Sequence, residues 1–159
     1  MAQLKIYLDT SILSAYFDLR KPARQLMTQK WFQNDLKNFL PFISTLVLEE
    51  INAHPDEAIK NEMLVVIDQN AIQVLGINEV ILNTAAAYRK KVIPQEINDS
   101  IHLAVAAYYK LDAVVSWNFK HIVNLKTIKA IHDVNRAERL VPVEIVTIEN
   151  LGGDKYGSL

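Results

Sequence analysis

Short runs of β-prone apolar residues alternate with longer segments of helical periodicity along this chain. The first run, at 4–8, stops at Asp9, and apolar side chains then recur at helical spacing. When a helix of ten or more residues joins two strands, the crossover is right-handed and the strands are parallel. The alternation therefore predicts a single three-layer α/β/α domain around a parallel sheet of about five strands.

The same patterns give approximate boundaries for the domain and its elements. The domain is expected to span 1–150, and the polar residues 151–159 to form a flexible C-terminal tail. Thr10 or Ser11 is expected to cap the first helix, and Pro22 fits the first turn of the second. Strands are predicted at 4–8, 42–44, 72–75, 112–116 and 143–147, and helices at 12–17, at 22–36, from 46, at 56–68, from 78 to a break at Pro94, at 95–110 and at 122–139.

Composition excludes several classes of protein. The 159 residues are 50% hydrophobic with a net charge of -1, whereas a disordered chain has low hydrophobicity and high net charge. Because there is no cysteine, disulfides, thiolate metal sites and cysteine nucleophiles are excluded. No run approaches the ~20 apolar residues that span a bilayer, and the start is unlike a signal peptide, so we expect a soluble, cytoplasmic protein. The near-neutral charge gives no support to a DNA-coating protein.

Polar side chains recur where predicted strands end. Asp9 follows the first strand, Glu50 lies on the helix after the second, and Asn118 follows the fourth. Asp99 stands at the start of the helix that leads into the fourth strand, so it lies near the same sheet edge. Ligands of open parallel sheets bind at this carboxyl edge. Asp112 precedes the fourth strand and is therefore expected ~13 Å away, at the opposite edge.

Three carboxylates at one edge repel one another unless a cation binds them. Oxygen ligands without cysteine favour Mg²⁺ or Mn²⁺, and such an ion can polarise a phosphoryl oxygen and activate water. The group therefore predicts phosphodiester hydrolysis. Each acid alone also has a structural explanation: Asp9 as a helix cap, Glu50 as a solvated helix residue, and Asp99 as an acid at a helix start.

At these residues the sequence resembles the PIN-domain ribonucleases, in particular the branch that includes VapC-type toxins. The stretches that carry the resemblance are 7–11 (YLDTS), 43–51 (ISTLVLEEI), 98–104 (NDSIHLA) and 114–122 (VVSWNFKHI). The resemblance implies Mg²⁺- or Mn²⁺-dependent cleavage of RNA, with Asp9, Glu50 and Asp99 as the metal-binding acids. Glu50 is the better match of the adjacent pair because it directly precedes Ile51, and Glu49 is the alternative.

One position departs from the family pattern. Many members carry a fourth acid where this chain has Asn118, the fourth candidate catalytic residue. An amide can hold water or phosphate, but it adds no charge, which weakens a second metal site. The alternative function is therefore a degenerate PIN domain that binds RNA or protein without catalysis. A haloacid-dehalogenase-type phosphohydrolase is disfavoured because Ser11 stands where that chemistry needs a second aspartate.

Further polar residues near these motifs are candidates for contact with substrate. Ser11, Ser116 and Lys120 are candidate substrate-binding residues, although Ser11 has an equally good explanation as a cap. His102 and His121 could touch phosphate, but a helix histidine with a satisfied hydrogen bond is the commoner case. The resemblance also implies a homodimer, for which the second helix, expected to be exposed and rich in aromatic residues, is a candidate surface, and often a cognate antitoxin protein.

Overall fold

The computed structural model describes residues 2–91 and 96–151. Five strands and seven α-helices lie in these ranges and form three layers, with helices on both faces of one sheet. The elements in chain order are β1 (Lys5–Leu8), α1 (Thr10–Tyr16), α2 (Pro22–Asn34), β2 (Leu40–Ser44), α3 (Thr45–Asn52), α4 (Glu57–Gln69), β3 (Gln73–Leu75), α5 (Glu79–Lys91), α6 (Ile97–Tyr108), β4 (Ala113–Val115), α7 (Leu125–Ala137) and β5 (Glu144–Val146). Short 3₁₀ turns follow α2 and β5.

All strand pairs in the sheet are parallel, and the order across it is β3-β2-β1-β4-β5. Tyr7 of β1 is in register with Phe42 of β2 on one side and Val114 of β4 on the other. The chain moves outward from β1 in both directions, so β1 is central and the point of reversal lies beside it. Ligands of doubly wound sheets bind at such a point, beyond the carboxyl ends of the strands.

The core is apolar on both faces of the sheet. Ile6, Tyr7 and Leu8 of β1 are fully buried, as parallel strands covered by two helical layers must be. Helix α6 is buried along 100–107, which agrees with its predicted apolar character. Among the described residues, no helix combines the length and the apolar character that a bilayer crossing requires.

Two sequence predictions are wrong, one about a helix cap and one about an exposed helix face. Neither Thr10 nor Ser11 caps α1, because the helix already begins at Thr10 and the extended Asp9 accepts a hydrogen bond from the Ser11 N–H. The second helix is not an exposed aromatic surface. Trp31 and Phe32 are buried and pack edge to face at 5.5 Å.

Some predicted boundaries shift and others fall outside the described residues. Helix α7 begins at Leu125 rather than at 122, because the side chain of Asn124 accepts from the Thr127 N–H and caps it. The predicted break at Pro94 and the start of a helix at 95 lie outside the described residues, as does the predicted tail after Leu151.

Candidate metal centre at the carboxyl edge of the sheet

The topology brings four predicted residues to one edge of the sheet. Asp9 directly follows β1, and Asn118 lies three residues beyond β4. Glu50 lies on α3, which continues from β2 without a loop, and Asp99 lies in the first turn of α6. The excluded acid, Asp112, lies at the opposite edge, where its carboxylate accepts the Lys5 N–H at 2.7 Å.

Asp9 is the most enclosed acid of the group, with 3% of its surface exposed. Its Oδ1 accepts from the backbone N–H and the hydroxyl of Ser11, and its Oδ2 accepts from the Ser116 hydroxyl at 2.6 Å. No lysine or arginine in the described part of the chain lies within 4 Å of it. Burial raises the pKa of Asp9, although the charge of His102 and these hydrogen bonds oppose the effect. The site therefore holds a buried carboxylate without a fixed cation.

Two donors contact Oε1 of Glu50. The Thr10 hydroxyl donates to Oε1 at 2.8 Å, and Nε2 of His102 lies 2.7 Å from the same oxygen. Partial burial acts to raise the pKa of Glu50, but the hydrogen bond and charge of His102 outweigh it, with help from Thr10, and the pKa is lowered. The lowered pKa favours the ionised form of Glu50. The neighbouring Glu49 is exposed.

Asp99 is partly buried beside the other acids. Burial raises its pKa to about 6; the charge of His102 opposes this and the charge of Asp9 adds to it. The side-chain amide of Asn118 donates to Asp99 Oδ2 at 3.4 Å. Repulsion between Asp9 and Asp99 is the electrostatic strain that a bound cation would relieve.

The remaining candidates surround Asp9 and Asn118. The Ser11 hydroxyl accepts from the Trp117 N–H at 2.8 Å, and the Ser116 hydroxyl accepts from the Asn118 N–H at 2.9 Å. Both serines thus connect the β1 and β4 loops and orient the Asp9 carboxylate, and their contact with a substrate stays a prediction. Lys120 is exposed two residues after Asn118.

A second group of potential ligands at this edge was not predicted as a set. Glu96, Asp99 and His121 place one ligand atom each within 4.8 Å of one another, the only such trio that the described ranges contain. His121 Nε2 and Glu96 Oε1 are 3.7 Å apart. Glu96 lies three residues before Asp99, and His121 lies three residues after Asn118. This spacing was the sequence signal that could have identified the two residues as potential ligands. Asp9, Glu50 and Asp99 do not all bring a ligand atom within 4.8 Å of one another, so an ion held by them would keep several waters.

The donor set fits a hard divalent cation. The three acids offer carboxylate oxygens, and the buried Asp9 has no lysine or arginine within 4 Å among the described residues. The sequence model of one protein family, the PIN domain, matches residues 6–122 of this chain. The chain belongs to the PIN domain family. That match covers all four residues at the carboxyl edge of the sheet.

Solved structures share the fold of this PIN domain at low sequence identity. A toxin-antitoxin complex from Klebsiella pneumoniae has a TM-score of 0.57 and 17% identity, over 77% of this chain and 93% of the other. VapBC2 from Rickettsia felis, bound to a promoter DNA fragment, has a TM-score of 0.56 and 12% identity, over 91% of this chain and 98% of the other. No curated protein sequence matches the chain significantly. At these identities, the structural likeness shows the fold.

Proposed function

We propose that this PIN domain is a metal-dependent endoribonuclease that hydrolyses RNA phosphodiester bonds, and that it is the toxin of a type II toxin–antitoxin pair. The observation that carries the proposal is the buried Asp9 carboxylate, which lies at the same sheet edge as Glu50 and Asp99 and has no lysine or arginine within 4 Å among the described residues. PIN domains are generally nucleases, so family membership supports the same chemistry.

Asp9, Glu50 and Asp99 would hold the cation, Mg²⁺ or Mn²⁺. When bound, the ion would supply positive charge to the phosphoryl oxygens and lower the pKa of a bound water. The serines beside Asp9 keep its carboxylate oriented, and Thr10 and His102 do the same for Glu50. Asn118 donates to Asp99 without adding charge, which favours one tightly held ion over two.

Basic and aromatic side chains beside Asn118 support a nucleic-acid substrate. The Arg24 guanidinium lies 5.0 Å from the ring centroid of Trp117 and 5.5 Å from that of Phe119. No carboxylate in the described part of the chain lies within 4 Å of Arg24. Phe119 is 47% exposed. Exposed aromatic rings can stack unpaired bases, and arginine and lysine bind phosphates, so we propose that Arg24 and Lys120 contact single-stranded RNA.

Cleavage of a labelled single-stranded RNA by protein treated with EDTA and then supplied with Mg²⁺ or Mn²⁺ tests the nuclease. We expect cleavage to require the metal and to be lost in Asp9→Asn and Asp99→Asn. Asp112→Asn is the matched control, because this acid lies at the opposite edge, and it should retain cleavage. Cleavage that survives EDTA, or that is unchanged in both site variants, would contradict the proposal.

Two further variants test whether Glu50 or Glu49 is the metal-binding acid. We expect Glu50→Gln to lose cleavage and Glu49→Gln to keep it, because Glu50 contacts Thr10 and His102 whereas Glu49 is exposed. The reverse result would assign the role to Glu49.

The toxin role and the partners need separate measurements. The two structural neighbours are described as a toxin-antitoxin complex and as VapBC2, which supports a cognate antitoxin for this chain as well. Expression should arrest growth, Asp9→Asn should not, and the product of a neighbouring short reading frame should bind the protein and restore growth. We further propose a homodimer, which light scattering of the purified protein tests directly.

A degenerate PIN domain that binds RNA without cutting it is the second candidate, and Asn118 is the observation that favours it. The Asn118 amide is already engaged, since it donates to Asp99 and its oxygen accepts from the His121 N–H at 3.0 Å. RNA binding without cleavage at millimolar Mn²⁺ would support this candidate. Restored cleavage in Asn118→Asp would then show that the missing acid is the cause.

A further inference from the structure

A buried chain of hydrogen bonds leads from the sheet to Glu50. The Tyr7 hydroxyl lies 2.8 Å from Ser44 Oγ and 2.6 Å from His102 Nδ1, and His102 Nε2 lies 2.7 Å from Glu50 Oε1. Ser44 and Tyr7 are fully buried, and His102 is 2% exposed. The four residues come from β1, β2, α3 and α6, so these hydrogen bonds connect the elements that form the site.

When His102 is neutral, each hydrogen bond in this series has only one possible donor. The Tyr7 hydroxyl lies between Ser44 Oγ and His102 Nδ1, so it can donate to one of them and accept from the other. An ionised Glu50 can only accept, so the proton of a neutral His102 stands on Nε2. Nδ1 must then accept from Tyr7, and the Tyr7 oxygen accepts from Ser44. The Tyr7 hydroxyl thus stabilises the tautomer that binds Glu50, because it donates to the other ring nitrogen.

We propose that Tyr7 and His102 are positioning residues that hold the Glu50 carboxylate in the orientation it needs to bind a divalent cation. The proposal rests on the proposed function, because it assigns Glu50 to the cation. Thr10 and His102 both bind Oε1, so neither of them engages the other carboxylate oxygen. Outer-shell partners of this kind orient metal ligands, and their loss typically costs ~10–100-fold in metal affinity.

Two tyrosines in this protein provide a matched pair for the test. Tyr7 and Tyr88 are both fully buried, and each hydroxyl is hydrogen-bonded, Tyr88 to Asn135 between α5 and α7. Replacement by phenylalanine removes only the hydroxyl in each case. We expect Tyr7→Phe to weaken Mn²⁺ binding, measured by calorimetry at fixed pH, by ~10-fold. Tyr88→Phe should bind Mn²⁺ like the unmodified protein, although it loses a buried hydrogen bond of the same kind.

Two replacements of His102 separate positioning from packing. His102→Gln keeps an amide donor near the position of Nε2, whereas His102→Asn is too short and keeps a group only near Nδ1. We expect the glutamine variant to retain affinity for Mn²⁺ within ~3-fold and the asparagine variant to lose ~10–100-fold. If both variants lose affinity equally, the proposed role of the Nε2 donor is wrong.

A double-mutant cycle asks whether Tyr7 acts through Glu50. In a Glu50→Gln background, Tyr7→Phe should cause no further loss of Mn²⁺ affinity, because the carboxylate it orients is gone. An equal loss in both backgrounds would overturn the positioning role. Long-range ¹⁵N correlation spectra of the metal-free protein at pH 9 add a readout independent of metal. They should show His102 with its proton on Nε2, and a smaller excess of that tautomer in Tyr7→Phe, which lacks the donor to Nδ1.

The outcomes distinguish this proposal from the proposed function. If the unmodified protein binds no Mn²⁺ at millimolar concentration, the proposed function fails and the positioning role fails with it. If the unmodified protein binds Mn²⁺ and Tyr7→Phe binds it equally well, only the positioning role is overturned. Weaker binding in Tyr7→Phe, unchanged binding in Tyr88→Phe and rescue by His102→Gln together establish it.

Discussion

Replacing Asp99 by asparagine is expected to stabilise the metal-free protein at neutral pH while it abolishes metal-dependent cleavage. Burial raises the pKa of Asp99 to about 6 from its ordinary value of 3.8, so the folded state binds this proton more tightly than the unfolded state. The stability that the proton provides is fully present below pH 3.8 and is lost as the pH rises through about 6. At pH 7.5 the folded protein therefore carries an unfavourable charge.

The magnitude follows from the shift and from the position of the side chain. One pKa unit corresponds to 1.36 kcal/mol, so the shift sets an upper limit of roughly 3 kcal/mol. Asp99 is only partly buried, and screening by water reduces this to ~1–2 kcal/mol. For a protein of this size the gain corresponds to an increase of about 2–8 °C in Tm. The new amide still offers an oxygen to Asn118, so no hydrogen-bond acceptor is lost.

Thermal unfolding followed by circular dichroism, in EDTA at pH 4 and pH 7.5, measures this gain. Asp99→Asn should unfold at higher temperature than the unmodified protein at pH 7.5 and at nearly the same temperature at pH 4. Asp68→Asn, the same change on the exposed face of α4, should shift stability by less than ~0.5 kcal/mol at both pH values. A destabilised Asp99→Asn at pH 7.5, or an equal gain at pH 4, would refute the electrostatic argument.

Three further predictions address the cation, the core and a helix cap. Addition of Mn²⁺ at 100 times its Kd should stabilise the unmodified protein by ~2.7 kcal/mol in thermal unfolding, and Asp99→Asn should show a much smaller shift. Ile6→Ala, in the fully buried central strand, should cost ~2–5 kcal/mol in urea unfolding, whereas Leu19→Ala at an exposed position should cost less than ~0.5 kcal/mol. Asp56→Ala should lower the free energy of unfolding by ~1 kcal/mol in urea, because the Asp56 carboxylate accepts N–H groups in the first turn of α4. Glu62→Ala, on the exposed face of that helix, should leave the free energy of unfolding nearly unchanged.

Much of the fold could be predicted because its causes are local. Apolar runs of strand length separated by helical segments permit few arrangements, and the rule for right-handed crossovers makes the sheet parallel. The ends of α1 and α7 were harder to predict because a cap depends on which side chain reaches a free N–H. Asp9 and Asn124 do so, where the sequence offered several polar residues of equal propensity.

The candidate site was also predictable only in part. Parallel strands place their carboxyl ends at one edge, so chain position alone brought Asp9 and Asn118 to that edge and put Asp112 at the other. The burial of Trp31 and Phe32, which removes the predicted exposed surface on α2, depends instead on how that helix is rotated against the layer beneath it.

By itself, the sequence determined the order of the elements, the direction of the strands and the edge at which the acids gather. Only the tertiary structure decided which side chains meet there. Tyr7 and His102 are 95 positions apart and hydrogen-bond at 2.6 Å. Glu96 and His121 are also distant along the sequence, and Glu96 Oε1 lies 3.7 Å from His121 Nε2. Such contacts depend on helix rotation and side-chain rotamers, which packing of the whole domain sets and which spacing along the chain does not encode.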